Sequence, residues 1–229
     1  MHAGTLVISN AQASTVGNDS SGNLAGAIAS LDAQDIWDTS QFAPLAGGVY
    51  ITQLAFRMKP GTGSINATVT SASISLSTTT FTPATMSTTF ATNRGADFTQ
   101  VASLTGTLWS NPGCAGPSPC AFDIVYPFST PFFYNPANGD LLIELQFTGY
   151  NGSGTGSLDV ENYGLDPTKL VGEIAAVPAA PTTGNLHYSD SVTQLTFTAV
   201  PEPTSYLLAL CGLGVLVVLQ RLHSSTTRP

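Results

Sequence analysis

The chain has 229 residues, enough for one large or two small domains with a buried core. Only 9% are charged, and 6 Lys plus Arg stand against 14 Asp plus Glu, a net charge of −8. An acidic chain is repelled by phosphate backbones, which argues against a nucleic-acid partner. The abundance of Ser, Thr, Gly and short aliphatic runs argues against a helical protein laced with ion pairs.

The first element is "TLVISN" (Thr5–Asn10), a short strand. The preceding "MHAGTLVISN" has no basic region and no apolar run, so no signal peptide is visible. His2-Ala3-Gly4 before a strand resembles the surroundings of a signal-peptidase site, and the expectation is that a leader lies upstream of Met1. From Ala11 to Ala46 alternation is poor and loop is the default, with one or two helical turns over "SLDAQDIWDTS".

Tyr50–Met58 reads as a half-buried strand, with Leu54, Phe56 and Met58 on one face and Gln53 and Arg57 on the other. After the turn "KPGTG", Ile65–Leu76 is a second strand. Its apolar positions change from odd (Ile65, Ala67, Val69) to even (Ala72, Ile74, Leu76), as a β-bulge requires.

Phe98–Trp109 follows, with Gly106 marking a bulge or a close backbone approach. Phe122–Tyr126 is a strand that Pro127 either ends or places at a sheet edge. "NPANGD" (Asn135–Asp140) makes a turn. Leu141–Phe147 is the clearest strand, with Leu141, Ile143, Leu145 and Phe147 inward and Glu144 and Gln146 outward. "GYNGSGTGS" reads as a flexible loop, Leu158–Val160 as a short strand, and "AAVPAAPTTG" as a long excursion. Thr193–Ala199 closes the series, with Leu195, Phe197 and Ala199 on one face. Many short strands at this spacing predict an all-β, antiparallel two-sheet sandwich of jelly-roll type over residues 1–200.

Cys114 and Cys120 frame "CAGPSPC", and a disulfide there would staple the loop and imply an oxidising compartment. No second Cys or His pair stands at zinc-ligand spacing. The third cysteine, Cys211, lies in the tail.

That tail, residues 201–229, changes character. Pro201-Glu202-Pro203 is followed by Tyr206–Leu219, apolar throughout, and 18 consecutive uncharged residues separate Glu202 from Arg221. A bilayer-spanning helix needs about 20 predominantly apolar residues, with a lower limit near 17. A buried helix of the body would need a polar face, and "LLALCGLGVLVVL" has none. The reading is one C-terminal transmembrane helix, with Arg221 and Arg228 on the cytoplasmic side by the positive-inside rule.

This arrangement resembles the PEP-CTERM sorting signal of exported bacterial proteins: Pro-Glu-Pro, a span, then basic residues. The resemblance implies sorting motif residues Pro201, Glu202 and Pro203, with Arg221 as the membrane stop. It also implies processing by exosortase, an integral membrane protease, with the body held at the inner membrane until release to the cell surface or the medium. Family tails carry a cluster of arginines, whereas Arg221 here is followed by His223 and a distant Arg228. "STTFATNRGADFTQVASLTGTLW", "FDIVYPFSTPFFYNPANGDLLIEL" and "VTQLTFTAVPEP" are similar to stretches in one group of these proteins, whose bodies are β-rich and without assigned function.

The body offers little chemistry. His187 in "GNLHYSD" is its one histidine apart from His2, so no catalytic triad can be assembled. No catalytic residue and no cofactor are expected, and the protein reads as non-enzymatic. Asp32, Asp35 and Asp38, with Trp37 among them, would share one side of a helix or could curl around calcium, although a solvated loop is the simpler reading. Trp37, Trp109, Tyr126, Tyr134 and Tyr150 could form a platform that stacks on sugars, or could be core. The expected roles are therefore a cell-surface or extracellular-matrix protein, or a module binding exopolysaccharide.

Overall fold

The computed structural model describes residues 3–21, 25–45, 47–116, 118–164, 171–176 (backbone course only) and 182–200. In chain order the strands are β1 (Ala3–Ile8), β2 (Asp19–Ser20), β3 (Gly26–Trp37), β4 (Val49–Phe56), β5 (Ile65–Thr79), β6 (Thr99–Asn111) and β7 (Ile124–Tyr134). They continue as β8 (Asp140–Gly154), β9 (Asp159–Asn162), β10 (Val171–Ala176), β11 (Asn185–His187), β12 (Ser189–Ser191) and β13 (Thr193–Ala199). One four-residue helix, α1 (Phe90–Asn93), interrupts them. The chain is all-β.

Two larger sheets and one small sheet form, with every strand pair antiparallel. The four-stranded sheet has the order β1-β13-β4-β7, and the six-stranded sheet the order β11-β10-β3-β8-β5-β6. The small sheet is β12-β9-β2. The main core lies between the two larger sheets. Ile51, Leu54, Tyr134 and Leu195 from the first meet Leu76, Val101, Leu141 and Ile143 from the second.

A smaller cluster, Ile36, Met86, Phe90 and Leu142, sits on the opposite face of the six-stranded sheet. It exists because the β5–β6 connection, with α1, folds back over that face. Part of the six-stranded sheet is therefore covered on both sides.

Double coverage explains where the structure departs from the sequence reading. The stretch expected as loop with helical turns is instead the twelve-residue strand β3, paired with β8 and β10. Its outer-face residues Ser30, Asp32, Gln34 and Ile36 are more buried than the inner-face Leu31, Ala33 and Asp35. The apolar/polar alternation that marks a half-exposed strand is thereby erased. Strand β8 likewise runs on through "GYNGSG", because β3 pairs with Gly152 and β5 with Gly154. Glu144 points away from the main core as expected, yet it is 1% exposed.

Other expectations hold. The register of β5 against β6 shifts between Val69 and Ala72, where the inward positions change parity. Gly106 pairs with Val69 at this irregularity with φ +81°, and a Cβ there would meet open space, so the backbone conformation and not a close approach requires glycine. Strand β7 carries Pro127 and Pro131 and occupies a sheet edge, where missing N–H donors cost no ladder bonds. Strand β13 spans Thr193–Ala199 as read. Of the long excursion, residues 177–181 lie outside the described residues.

Candidate functional site

Cations are scarce in the body, and three of them are committed to buried carboxylates. Strand β4 ends at Phe56, and Arg57 turns inward where alternation had placed it outward. Its Nε donates to Asp159 Oδ2 at 2.8 Å, and Nη2 lies 2.8 Å from the same oxygen, with both side chains fully buried. Lys59 Nζ is 3.5 Å from Asp159 Oδ1, and Gly17 N donates to both carboxylate oxygens at 3.1 and 3.2 Å. Arg57 Nη2 also donates to Thr15 O at 2.6 Å, and its guanidinium lies over the Phe122 ring, 5.0 Å from the centroid. The cluster ties the β1–β2 loop to the small sheet.

A second ion pair lies on the outer face of the six-stranded sheet. Arg94 grips Glu144 through Nε–Oε2 at 2.8 Å and Nη2–Oε1 at 2.6 Å. Gln34 Nε2 donates to Glu144 Oε2 and to Phe90 O, and Asn93 Nδ2 donates to Gln34 Oε1 at 3.0 Å. Hydrogen bonding to Glu144 raises the Arg94 pKa. This network clamps α1 onto β3 and β8, and is structural in character.

Two concavities flank the six-stranded sheet, one on each face. A cleft of about 450 Å³ opens between the inner face of the six-stranded sheet and the small sheet. Leu31, Ala33, Ile143 and Leu145 line it from the large sheet, and Leu158 and Val160 from the small one. Trp37 and Trp109 border it, and Trp37 Nε1 donates to Asp190 Oδ2 at 2.8 Å. His187, Ser189 and Asp190 also line this cleft, although the sequence offered no partners for the histidine.

The second is a groove of about 420 Å³ on the outer face of the six-stranded sheet. Its walls carry hydroxyls and amides: Ser30, Ser71, Ser73, Gln100, Ser103 and Gln146. Asp32 lies in it, held by Gln146 Nε2 on Oδ2 at 2.8 Å. Asp32 Oδ1 and Ser30 Oγ are buried and have no hydrogen-bond partner among the described residues. Burial pushes the Asp32 carboxyl up to about 6, with the nearby Glu144 charge adding to the rise.

The sequence-derived aspartate trio does not converge. Asp32 and Asp35 are three residues apart on a strand, which puts them on opposite faces. Asp38 instead caps the short turn at Thr39–Phe42 by accepting from Ser40 N at 2.8 Å. No group of three or more His, Cys, Asp or Glu suited to a metal ion occurs among the described residues.

Asp140, from the "NPANGD" turn, accepts from Thr39 N at 2.9 Å, and burial pushes it up to about 6. Trp37, Trp109, Tyr126, Tyr134 and Tyr150 are at most 7% exposed, so these five form core and not a stacking platform. Burial pushes the Tyr126 and Tyr134 phenols up, and their hydroxyls donate to Leu108 O and Gly139 O. Cys114 and Cys120 are joined by a disulfide with Cα atoms 5.9 Å apart. Pro201, Glu202, Pro203, the 206–219 run and Arg221 lie outside the described residues, among which no helix is long and apolar enough to cross a membrane.

Sequence reasoning missed Asp159, Arg94 as a partner of Glu144, and the groove. The available signal was the serine at every second position in "SASISLS", which gives β5 a hydroxyl-bearing outer face.

No family model matches this chain, and no curated protein matches it. A solved chain described as "Structure of infectious bursal disease virus Gx strain" is similar over 95% of this chain at 12% identity, with a TM-score of 0.20. This chain spans 49% of that one, and the likeness is too slight to carry an argument.

Proposed function

We propose that this chain is a non-enzymatic exported protein of the cell surface or extracellular matrix, delivered by its C-terminal segment as a PEP-CTERM substrate of an exosortase-type protease. The observation that carries this is Pro201-Glu202-Pro203, with 18 uncharged residues between Glu202 and Arg221, starting two residues after Ala199 ends β13. The motif thus follows the last strand of the body almost directly, and 206–219 is read as a single transmembrane helix. The Cys114–Cys120 bridge favours an oxidising destination.

The body is read as a jelly roll. Its eight principal strands pair from the outside inward: β1 with β13, β3 with β8, β4 with β7, and β5 with β6. Nested pairing of this kind is what a long hairpin rolled into two sheets produces. The segment β9–β12 is then an insertion before the last strand.

Glu202→Ala tests the sorting reading in an exosortase-bearing host. Full-length chain is expected to accumulate in the membrane fraction while surface release is lost. Unchanged release would remove the basis for the assignment.

The outer groove favours a second reading, a module that binds exopolysaccharide. Its unpartnered Asp32 Oδ1 and Ser30 Oγ, set among serine hydroxyls and glutamine amides, match the hydroxyls of a sugar. Titration of matrix-polysaccharide fragments into the wild-type chain and Asp32→Ala separates the readings, because binding that is lost in the variant favours the module.

A further inference from the structure

The strands of the four-stranded sheet, AGTLVI, VYITQLAF, IVYPFSTPFFY and TQLTFTA, contain no Asp, Glu, Lys, Arg or His. Up to Val200 the chain carries 13 acids against Arg57, Lys59, Arg94 and Lys169, a net charge of −9. None of that charge falls on this sheet. Asp32, Asp35, Asp140 and Glu144 belong to the six-stranded sheet, and Asp19, Asp159, Glu161 and Asp190 to the small one.

The exposed large apolar side chains among the described residues are Tyr50, Val125, Phe133 and Val200. All four belong to the uncharged sheet or to the residue that leaves it. Three of them gather at one end. Tyr50 stands opposite Phe133 on β7 and Thr198 on β13, with the two rings 5.4 Å apart. A Cβ on Gly48 would come within 2.5 Å of the Phe133 ring, so the ring lies flush against the backbone there. Strand β13 ends beside this pair, and Val200 continues it outward.

We infer that this corner, Tyr50, Phe133 and Val200, is a docking surface for the lipid bilayer to which the tail tethers the body. The inference rests on reading 206–219 as a membrane span. Only six residues lead from Val200 to Tyr206, a reach of about 20 Å when fully extended. The corner where β13 exits is therefore held within that distance of the bilayer, whichever way the body leans. Tyr and other amphipathic rings prefer the headgroup layer, where the apolar body of the ring is buried and the hydroxyl stays wet. A sheet without charges meets the membrane without desolvating an ion, whereas either acidic sheet would have to strip or pair its carboxylates. The two rings are inclined at 57°, so they do not form the flat platform that stacking on a sugar needs.

The test uses the full chain, reconstituted in phosphatidylcholine vesicles, with a nitroxide at Phe133→Cys in a Cys211→Ala background. Asn66→Cys, exposed on the outer face of the six-stranded sheet, carries the reference label. The ratio of oxygen to nickel-chelate accessibility is expected to be several-fold higher at 133 than at 66. A second label at Tyr50→Cys gives the same readout if the first substitution disturbs the edge strand. Equal ratios in a chain that floats with the vesicles overturn the docking surface while leaving the span intact. Spin–spin broadening between copies at 133 assigns the corner to a second copy of this chain and also overturns it. A chain that fails to float removes the span reading, and the docking surface with it.

Discussion

The two large sheets of this protein are held in place by different forces. The four-stranded sheet is apolar on its inner face and carries only neutral side chains outward. The six-stranded sheet has Asp32, Gln34, Glu144 and Ser77 buried on the face away from the main core, held by Gln146, Asn93, Arg94 and Asp97 respectively. The first depends on area removed from water, which has no direction and little pH dependence. The second depends on geometry, because each buried ion needs its partner and hydrogen bonds to offset desolvation. A protein built this way keeps a neutral face available for other contacts while its charged groups sit on the other two sheets and their connections.

The largest effect that would break this contrast comes from the ion pair between β4 and the small sheet. Arg57→Ala leaves Asp159 buried with only Lys59 at 3.5 Å and the Gly17 amide as partners. A loss of about 3–5 kcal/mol is expected, read from urea unfolding of the full chain in detergent. A loss below about 1 kcal/mol would show that water reaches Asp159, and that the charged half is less dry than its geometry implies.

Asp32 sharpens the comparison through pH. Its carboxyl is raised to about 6 in the fold, above the ordinary 3.8, so the native state binds its proton more tightly than the unfolded chain does. Its contribution is therefore fully present below about pH 4 and lost as pH rises through 6. Asp32→Asn keeps the acceptor for Gln146 and abolishes that titration. Thermal melts should show the variant gaining a few degrees on the wild type between pH 4 and pH 7. A constant difference across that range would mean the groove keeps the carboxylate hydrated.

The smallest effect belongs to the neutral sheet. Phe133→Ser removes an exposed cross-strand ring and should cost about 0.5 kcal/mol in detergent, independent of salt and pH. A loss above about 2 kcal/mol would mean that Tyr50 and Phe133 hold the edge strand in place and are not free for a surface contact.

Legibility from sequence followed the same division. Strands with one wet and one dry face declared themselves, as Leu195 and Phe197 did for β13. The parity change between Val69 and Ala72 marked a bulge that the pairing with β6 contains. Strand β3 did not declare itself, because Gln34 and Ile36 are buried beneath a returning connection, Ser30 and Asp32 are buried in the outer groove, and Leu31 and Ala33 face a cleft. The groove was missed, although half of its signal was present. Serine spacing on β5 pointed to a hydroxyl face, but Ser30 and Asp32 come from a strand about 40 residues earlier in the chain.

By itself the sequence determined the all-β class, since neutral β-forming runs cut by turn residues admit little else, and it determined the distinct apolar segment after Pro201. Those properties depend on residues close together along the chain, where steric preference and alternation act directly. The tertiary structure alone decided which carboxylate meets which cation, which face of β3 is dry, and which end of the neutral sheet adjoins the exit of β13. Such pairings join residues 50 to 150 positions apart, and their energies depend on burial and orientation that local pattern does not carry.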